Sequence, residues 1–205
     1  MKISRSLSVL AITFCAFQSS SMAQTAPAPS GWYAGGSVGS SGIKLRSENV
    51  VTNGQQDTRD TGYKLIGGYQ FNKTWAAEFQ YFDLGSYRYS EAAPATGTAT
   101  VDTQGFSISG IGSWPVTEKI SVLGKLGLAQ QRFTARAVSS AGRVTPLNAT
   151  KMTTLIGVGA EYQINKTLRV RTEYEYFGVP TVFTSGTQKL KLRTDLLSVG
   201  LLYQF

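Results

Sequence analysis

The sequence predicts an all-β chain that closes into an eight-stranded antiparallel up-and-down transmembrane β-barrel, and three observations carry that prediction. Eight stretches alternate apolar and polar residues with period two, so that each, as a strand, has two chemically different faces. The connections between them alternate between tight turns and long polar loops, which is the habit of barrels that cross a membrane. The apolar faces carry no charge while the opposite faces carry charges of both signs, which suits a wall with lipid outside and an enclosed space within.

The first 23 residues stand apart from this pattern. Lys2 and Arg5 precede an apolar run from Leu7 to Phe17, too short to span a bilayer, and Ser21-Met22-Ala23 supplies small residues for cleavage before Gln24. Residues 1–23 are therefore predicted as a secretory signal peptide, 24–30 as a short Pro/Ala linker and 31–205 as the barrel. Cys15, the single cysteine, leaves with the signal, so the exported chain forms no disulfide. No stretch of about 18 apolar residues follows, so a transmembrane helix is not expected. Removing Lys2 and Arg5 from 20 basic residues leaves 18 against 12 acidic, a surplus of six. Export and the lack of basic-aromatic clusters argue against nucleic acid as the acidic partner.

Taken in order, residues 31–45 open the barrel with GWYAGGSVGSSGIKL, and 61–72 and 74–87 form a hairpin around Asn72-Lys73. Residues 103–114 and 119–132 flank the turn Pro115-Val116-Thr117-Glu118. Residues 151–164 and 167–177 flank Asn165-Lys166, and 194–205 close the chain. These runs exceed the five or six residues of an ordinary strand and match the length needed to cross hydrocarbon at a tilt. The remaining connections, 46–60, 88–102, 133–150 and 178–193, are rich in Gly, Ser, Thr and Ala and read as long external loops. A repeat reinforces the hairpin assignment, since YQFNKTWAAEFQYF (69–82) returns as YQINKTLRVRTEYEYF (162–177) with two residues added.

Parity assigns the faces. Tyr63, Leu65, Trp75, Phe79, Phe106, Ile108, Val122, Leu126, Ile156, Val158, Leu197, Val199 and Leu201 fall on the apolar side. Lys64, Glu78, Lys125, Glu161, Arg169, Arg171, Glu173 and Glu175 fall on the other, among small or neutral residues such as Ser107, Ser109 and Gly157. Four positive and four negative charges cancel, as an enclosed space of low dielectric demands. Aromatic belts are expected at both interfaces, with Trp32, Phe71, Trp75, Trp114, Tyr203 and Phe205 at the turn end and Tyr81, Tyr87, Phe106, Tyr174 and Tyr176 toward the loops. A soluble lipocalin-like binder would turn the same faces inside out around a ligand.

The chemistry available is narrow. With no histidine in the chain and no cysteine after the signal, His-activated nucleophiles and the commonest metal ligand are absent, so no catalytic, cofactor-binding or metal site is predicted and the protein is not expected to be an enzyme. Glu173 and Glu175 lie on one face, but Arg169 and Arg171 stand ready to pair with them. Above the apolar band, outward parity collects Lys44, Arg46, Lys189, Lys191 and Arg193 where the first and last strands meet, with Arg132 and Arg136 on the fifth. These are predicted to contact the phosphates of outer-leaflet lipopolysaccharide. The terminal alternation through Leu201, Tyr203 and Phe205 reads as the signal for the outer-membrane assembly machinery.

The segments GWYAGGSVG (31–39), EFQYFDLG (78–85) and GVGAEYQINKTLRVRTEYEYFG (157–178), with the terminal YQF, resemble the OmpA-like transmembrane family. That resemblance implies a charged cluster inside the barrel, with Glu78, Lys125, Glu161 and Arg171 at the matching positions. Larger family members add a periplasmic peptidoglycan-binding domain, and this chain is expected to lack it. Together these readings predict a Gram-negative outer-membrane protein with a structural and surface-interaction role. Its lumen is plugged by salt bridges, and its loops present a surface to an extracellular ligand. The alternative is a narrow passive channel for ions or small solutes.

Overall fold

A computed structural model describes residues 30–47, 55–57, 59–90, 97–139, 142–143, 147–185 and 188–205. The predicted signal peptide and the linker up to residue 29 lie outside them. Eight long strands, β1 (Gly31–Ser47), β3 (Arg59–Gln70), β4 (Trp75–Ser90), β5 (Gly97–Pro115), β6 (Ile120–Ser139), β8 (Leu147–Gln163), β9 (Leu168–Tyr176) and β11 (Gln188–Gln204), form the wall. Three short ones, β2 (Gln55–Asp57), β7 (Gly142–Arg143) and β10 (Thr181–Ser185), extend it at the loop end. The long strands pair in chain order, all antiparallel, and β1 pairs with β11, so the sheet closes on itself. Following register partners around the wall, Gly31, Gln70, Ala76, Ile111, Lys125, Gly157, Glu175, Leu196 and Ser41, returns to β1 ten residues above the start. Eight strands with that stagger tilt by about 40° to the axis.

The three tight connections are built alike. Asn72 Oδ1 accepts from the backbone N–H of Thr74 and Trp75, both at 2.9 Å, and Asn165 Oδ1 does the same for Thr167 and Leu168 at 2.9 and 2.8 Å. Thr117 Oγ1 plays this part for Ile120, at 3.0 Å. The side-chain acceptors stretch each turn to residues 71–74, 116–119 and 164–167, longer than the two-residue Asn-Lys turns predicted for two of them.

Lipid-facing and lumenal sides divide as parity predicts. Trp32, Leu65, Ile108 and Leu126 are more than 60 % exposed on the outside, which excludes the inside-out arrangement of a soluble binder. The lumen is more apolar than predicted. Tyr33, Ile66, Ala76, Ile111, Leu123 and Leu202 form a cluster toward the turns. Phe82, Leu84, Ala129, Leu155, Phe177 and Leu196 form a second, and Ile43, Tyr87 and Phe133 a third nearest the loops. Between the last two, Gln131 Nε2 donates to Thr153 Oγ1 at 2.7 Å and to the Phe177 carbonyl at 2.8 Å, and Thr194 Oγ1 donates to Gln131 Oε1 at 3.0 Å.

Two expectations are corrected. Tyr87 does not join the outer aromatic belt but is buried in the lumen, because the β4–β5 register shifts between Asp83 and Ser86. The extra residue is a β-bulge with Gly85 at φ 74°, and beyond it the inward side changes from even-numbered to odd-numbered residues. The stretches read as loops are also partly strand, since Thr98–Asp102 pairs with both β4 and β6. Backbone ladders that find a neighbour continue through Thr- and Ala-rich sequence whose composition alone suggests a loop. Gly85→Ala places a Cβ 2.5 Å from Asp60 Oδ2 in a left-handed backbone. It should destabilise the barrel by about 1–3 kcal/mol in urea unfolding from lipid vesicles.

Candidate functional site: the lumenal charge layer

The eight charges predicted for the interior meet in one layer, positioned by five strands: Lys64 on β3, Glu78 on β4, Lys125 on β6, Glu161 on β8, and Arg169, Arg171, Glu173 and Glu175 on β9. Strand geometry explains why β9 gives half of them, since alternate residues of RVRTEYEY project to one side about 7 Å apart. Their partners are brought opposite by register, with Glu161 facing Arg171 and Gly159 facing Glu173.

Lys125 sits at the centre. Its Nζ lies 2.9 Å from Glu78 Oε2, 2.9 Å from Glu173 Oε1 and 3.0 Å from Glu175 Oε1. Lys64 Nζ bridges Glu173 Oε2 at 2.6 Å and also pairs with Glu175. Arg171 donates through Nε to Glu161 Oε1 at 2.6 Å and through Nη1 to Glu78, and Nη1 lies 3.6 Å from Glu173 Oε1. Arg169 holds the other oxygen of Glu161 at 3.2 Å and donates to Gln204 Oε1 at 3.0 Å. Every charge has an opposite partner, and the eight form one connected network with no net charge. Apart from Arg169 and Glu161, each of these side chains is nearly inaccessible.

Neutral groups complete the layer; sequence reading set Ser107 and Ser109 on this face but missed Tyr33 and Gln80. Tyr33 Oη donates to Glu78 Oε1 at 2.8 Å, and the Arg169 guanidinium lies 5.1 Å from the Tyr33 ring centre. The ring occupies space that only Gly68 leaves open, since a Cβ there would lie 2.4 Å from Tyr33 Cζ. Gln80 donates to Glu175 Oε1 at 3.2 Å and accepts from Lys125 at 3.3 Å. The signal was present in the parity of both residues, but an interior tyrosine looks like a belt tyrosine until its strand is phased. Along β5, Ser107 and Ser109 are buried with no hydroxyl partner among the described residues, and register sets them opposite Gln80 and Glu78.

The other predicted sites are more dispersed. Arg132, Arg136 and Arg193 are exposed on the outer face, and the Arg193 guanidinium lies 5.1 Å from the Tyr176 ring centre. Register pairs Lys44 with Arg193 and Arg46 with Lys191 across the β1–β11 seam, and Lys189 with Thr184. The side chains of Lys44, Arg46, Lys189 and Lys191 lie outside the described residues, as do parts of all four predicted ligand-binding loops. Arg132 and Arg136 stand on β6, four strands from β1, and so do not join the seam. Leu201, Tyr203 and Phe205 face outward, and the last two rings meet edge to face at 5.3 Å.

Removing one member of the layer strands its partners. Arg171→Ala leaves Glu161 and Glu78 short of a counter-charge and should cost about 3–5 kcal/mol of unfolding free energy in lipid vesicles. Arg169→Ala, at the wetter edge, should cost well under half as much in the same titration.

Comparison with known proteins agrees with this geometry. Residues 27–205 match the family model described as the OmpA-like transmembrane domain. Outer membrane protein A of Yersinia pseudotuberculosis serotype I is 28 % identical over 198 residues, covering 96 % of this chain and 54 % of that protein. Its counterpart in Klebsiella aerogenes is 26 % identical over 187 residues, covering 90 % and 51 %. The chain thus spans about half the length of the curated relatives it matches. Among solved structures, the outer membrane protein OprG of Pseudomonas aeruginosa superposes with a TM-score of 0.60 at 13 % identity, covering 86 % of this chain and 96 % of that one. Neisserial surface protein A does so with a TM-score of 0.54 at 14 % identity, covering 85 % and 97 %. The match over nearly the whole barrel, joined to its closed eight-stranded topology, shows that this chain belongs to the OmpA-like transmembrane domain family of outer-membrane β-barrels.

Proposed function

We propose that this protein is a sealed structural barrel of the Gram-negative outer membrane, supporting envelope integrity and presenting its long extracellular strands and loops to partners outside the cell. The observation that supports this most is the filling of the lumen, where a neutral ionic layer is bracketed by apolar clusters and every cation is held by at least one carboxylate. Opening such a passage means parting several salt bridges at once in a low-dielectric space. Each carboxylate of the layer is engaged by a cation, so these groups act as counter-charges and the protein is read as non-enzymatic. The cleaved signal peptide and the terminal Leu201, Tyr203 and Phe205 belong to the same reading, as export and assembly addresses. The exposed cations of the rim are read as contacts for lipopolysaccharide phosphates, and loops 46–60, 88–102, 133–150 and 178–193 as the surface offered to an extracellular ligand.

A narrow passive channel is the second reading, favoured by one feature. Glu78 is shared between Lys125 and Arg171, and the unpartnered hydroxyls of Ser107 and Ser109 offer water a polar wall beside it. Planar-bilayer recording separates the two. The sealed barrel should give no reproducible conductance steps, and steps whose size changes on Glu78→Gln would replace this reading with the channel.

A further inference from the structure

Three exposed arginines, far apart in the sequence, stand at one level of the outer wall. The sheet closes with a stagger of ten residues over eight strands, so a line of register partners climbs about 1.25 residues per strand toward the loops. Tyr63, Asp83, Gln104 and Arg132 share one such line across β3, β4, β5 and β6. Three strands of climb bring Arg132 level with the position about four residues above Tyr63 on β3, which is Arg59. From Arg59 the line falls through Gly42 to Asp195 on β11, about 2.5 residues lower, and Arg193 stands two residues above Asp195. The Cα atoms of Arg59, Arg132 and Arg193 are therefore level to within about 2 Å, and about 10 Å above Tyr63 along the membrane normal.

The three divide the circumference between them. Arg59 to Arg132 and Arg132 to Arg193 are each three strands apart, about 19 Å along the wall, and Arg193 to Arg59 is two. Their side chains diverge outward, so each meets a different neighbour in the leaflet. A soluble polyanion would need its cations gathered on one face, whereas a leaflet presents phosphates in a plane all round the barrel.

Carboxylates of this band are mostly taken up by the protein itself. Asp60 accepts from the N–H of Thr61 and of Ser86, both at 2.7 Å. Asp83 accepts from the Gly85 N–H at 2.8 Å and from Tyr63 Oη at 3.2 Å, and Asp102 Oδ1 from Ser86 Oγ at 2.6 Å. Asp195 stands beside Arg193 on the outer side of β11. Among the described residues none of the three arginines forms an ion pair. Arg193 lies over the Tyr176 ring instead, which keeps its guanidinium on the outer face. Arg132 is flanked by exposed Gln104 and Thr150, and Gln104 accepts the Tyr81 hydroxyl at 3.3 Å, which leaves its amide nitrogen to donate. Lys44 shares the level on β1, with a side chain outside the described residues. Arg88 stands about 4 Å higher and is registered against Asp57.

We propose that Arg59, Arg132 and Arg193 form a level ring that holds the phosphates of three separate outer-leaflet glycolipids. The assignment rests on the phosphate-contact reading of the rim, adds Arg59 to it and narrows it to one height. A guanidinium with no carboxylate of its own matches a phosphate in a bidentate pair. The phosphate monoester of such a glycolipid carries up to about two charges against the one of a glycerophospholipid's phosphodiester, which favours the glycolipid.

The test is native mass spectrometry of the full-length barrel in detergent, titrated with hexa-acylated diphosphoryl lipid A or with phosphatidylglycerol. The wild-type protein should retain three lipid A molecules and release phosphatidylglycerol. Arg59→Gln, Arg132→Gln and Arg193→Gln, each checked for folding by heat-dependent gel mobility, should each retain one fewer, and the triple substitution none. Arg136→Gln removes the same charge about 10 Å higher on β6 and should still retain three. A lipid lost from Arg136→Gln, or all three kept by the triple variant, overturns the ring and leaves the rim reading standing. Fewer than three on the wild type overturns the three separate points, and none overturns the rim reading as well. Equal retention of phosphatidylglycerol overturns the choice of glycolipid.

Discussion

Inside hydrocarbon a backbone N–H or C=O has no water to turn to, and each one left unpaired costs several kcal/mol. The pairing of β1 with β11, from Tyr33 opposite Gln204 to Ser47 opposite Leu190, removes the last edge at which that cost would fall. Everything else in the molecule is conditional on this closure. Only with the ladder complete can Trp32, Leu65, Ile108 and Leu126 be turned outward without exposing the chain that carries them. The terminal residues take part directly, since Phe205 N–H donates to the Trp32 carbonyl at 3.0 Å and ties the last strand to the first.

Closure also creates the problem that the charge layer answers. Eight strands staggered by ten residues enclose a space about as wide as the side chains that fill it, so any ion placed there loses its hydration. Cancellation of four cations by four carboxylates is then a requirement. A buried network of this kind adds little net stability compared with an apolar filling. Its effect falls on register. Sliding one strand by a single residue would drive the Lys64, Glu78 or Lys125 side chain into lipid and bring an apolar one inward, so the layer penalises misregistered barrels far more than it stabilises the correct one. The bracketing clusters around Ile66 and Phe82 sharpen this penalty by leaving the ions little room to rearrange.

What was legible in the sequence follows from where the period-two rule holds. All eight lumenal charges could be found because β3, β6, β8 and β9, and β4 as far as Asp83, keep strict alternation across the hydrocarbon. Tyr87 could not, because the phase slips at Gly85, and one bulge glycine has no distinguishing mark among 22 glycines. Ile66, Ile111, Leu123 and Leu202 escaped for a different reason. Where both faces of a strand are apolar, as in LLSVGLLYQF, alternation gives no contrast, and only the three-dimensional closure shows which residues are enclosed. The extended strands above the membrane depend on partners supplied by distant sequence, which composition does not report.

The two sets of charge obey different rules, and this explains how one chain can be neutral within and basic without. Since the lumenal eight cancel, the whole surplus of six on the chain after residue 23 belongs to rim, turns and loops. Lumenal charges are fixed by desolvation, and a change in any one must be matched by another. Surface charges at Arg132, Arg136 or Arg193 are exposed and carry no such constraint, so nothing in the fold accounts for their sign. A bias free of structural necessity can follow whatever lies outside the barrel, as a lumenal charge, held by its desolvated partners, cannot.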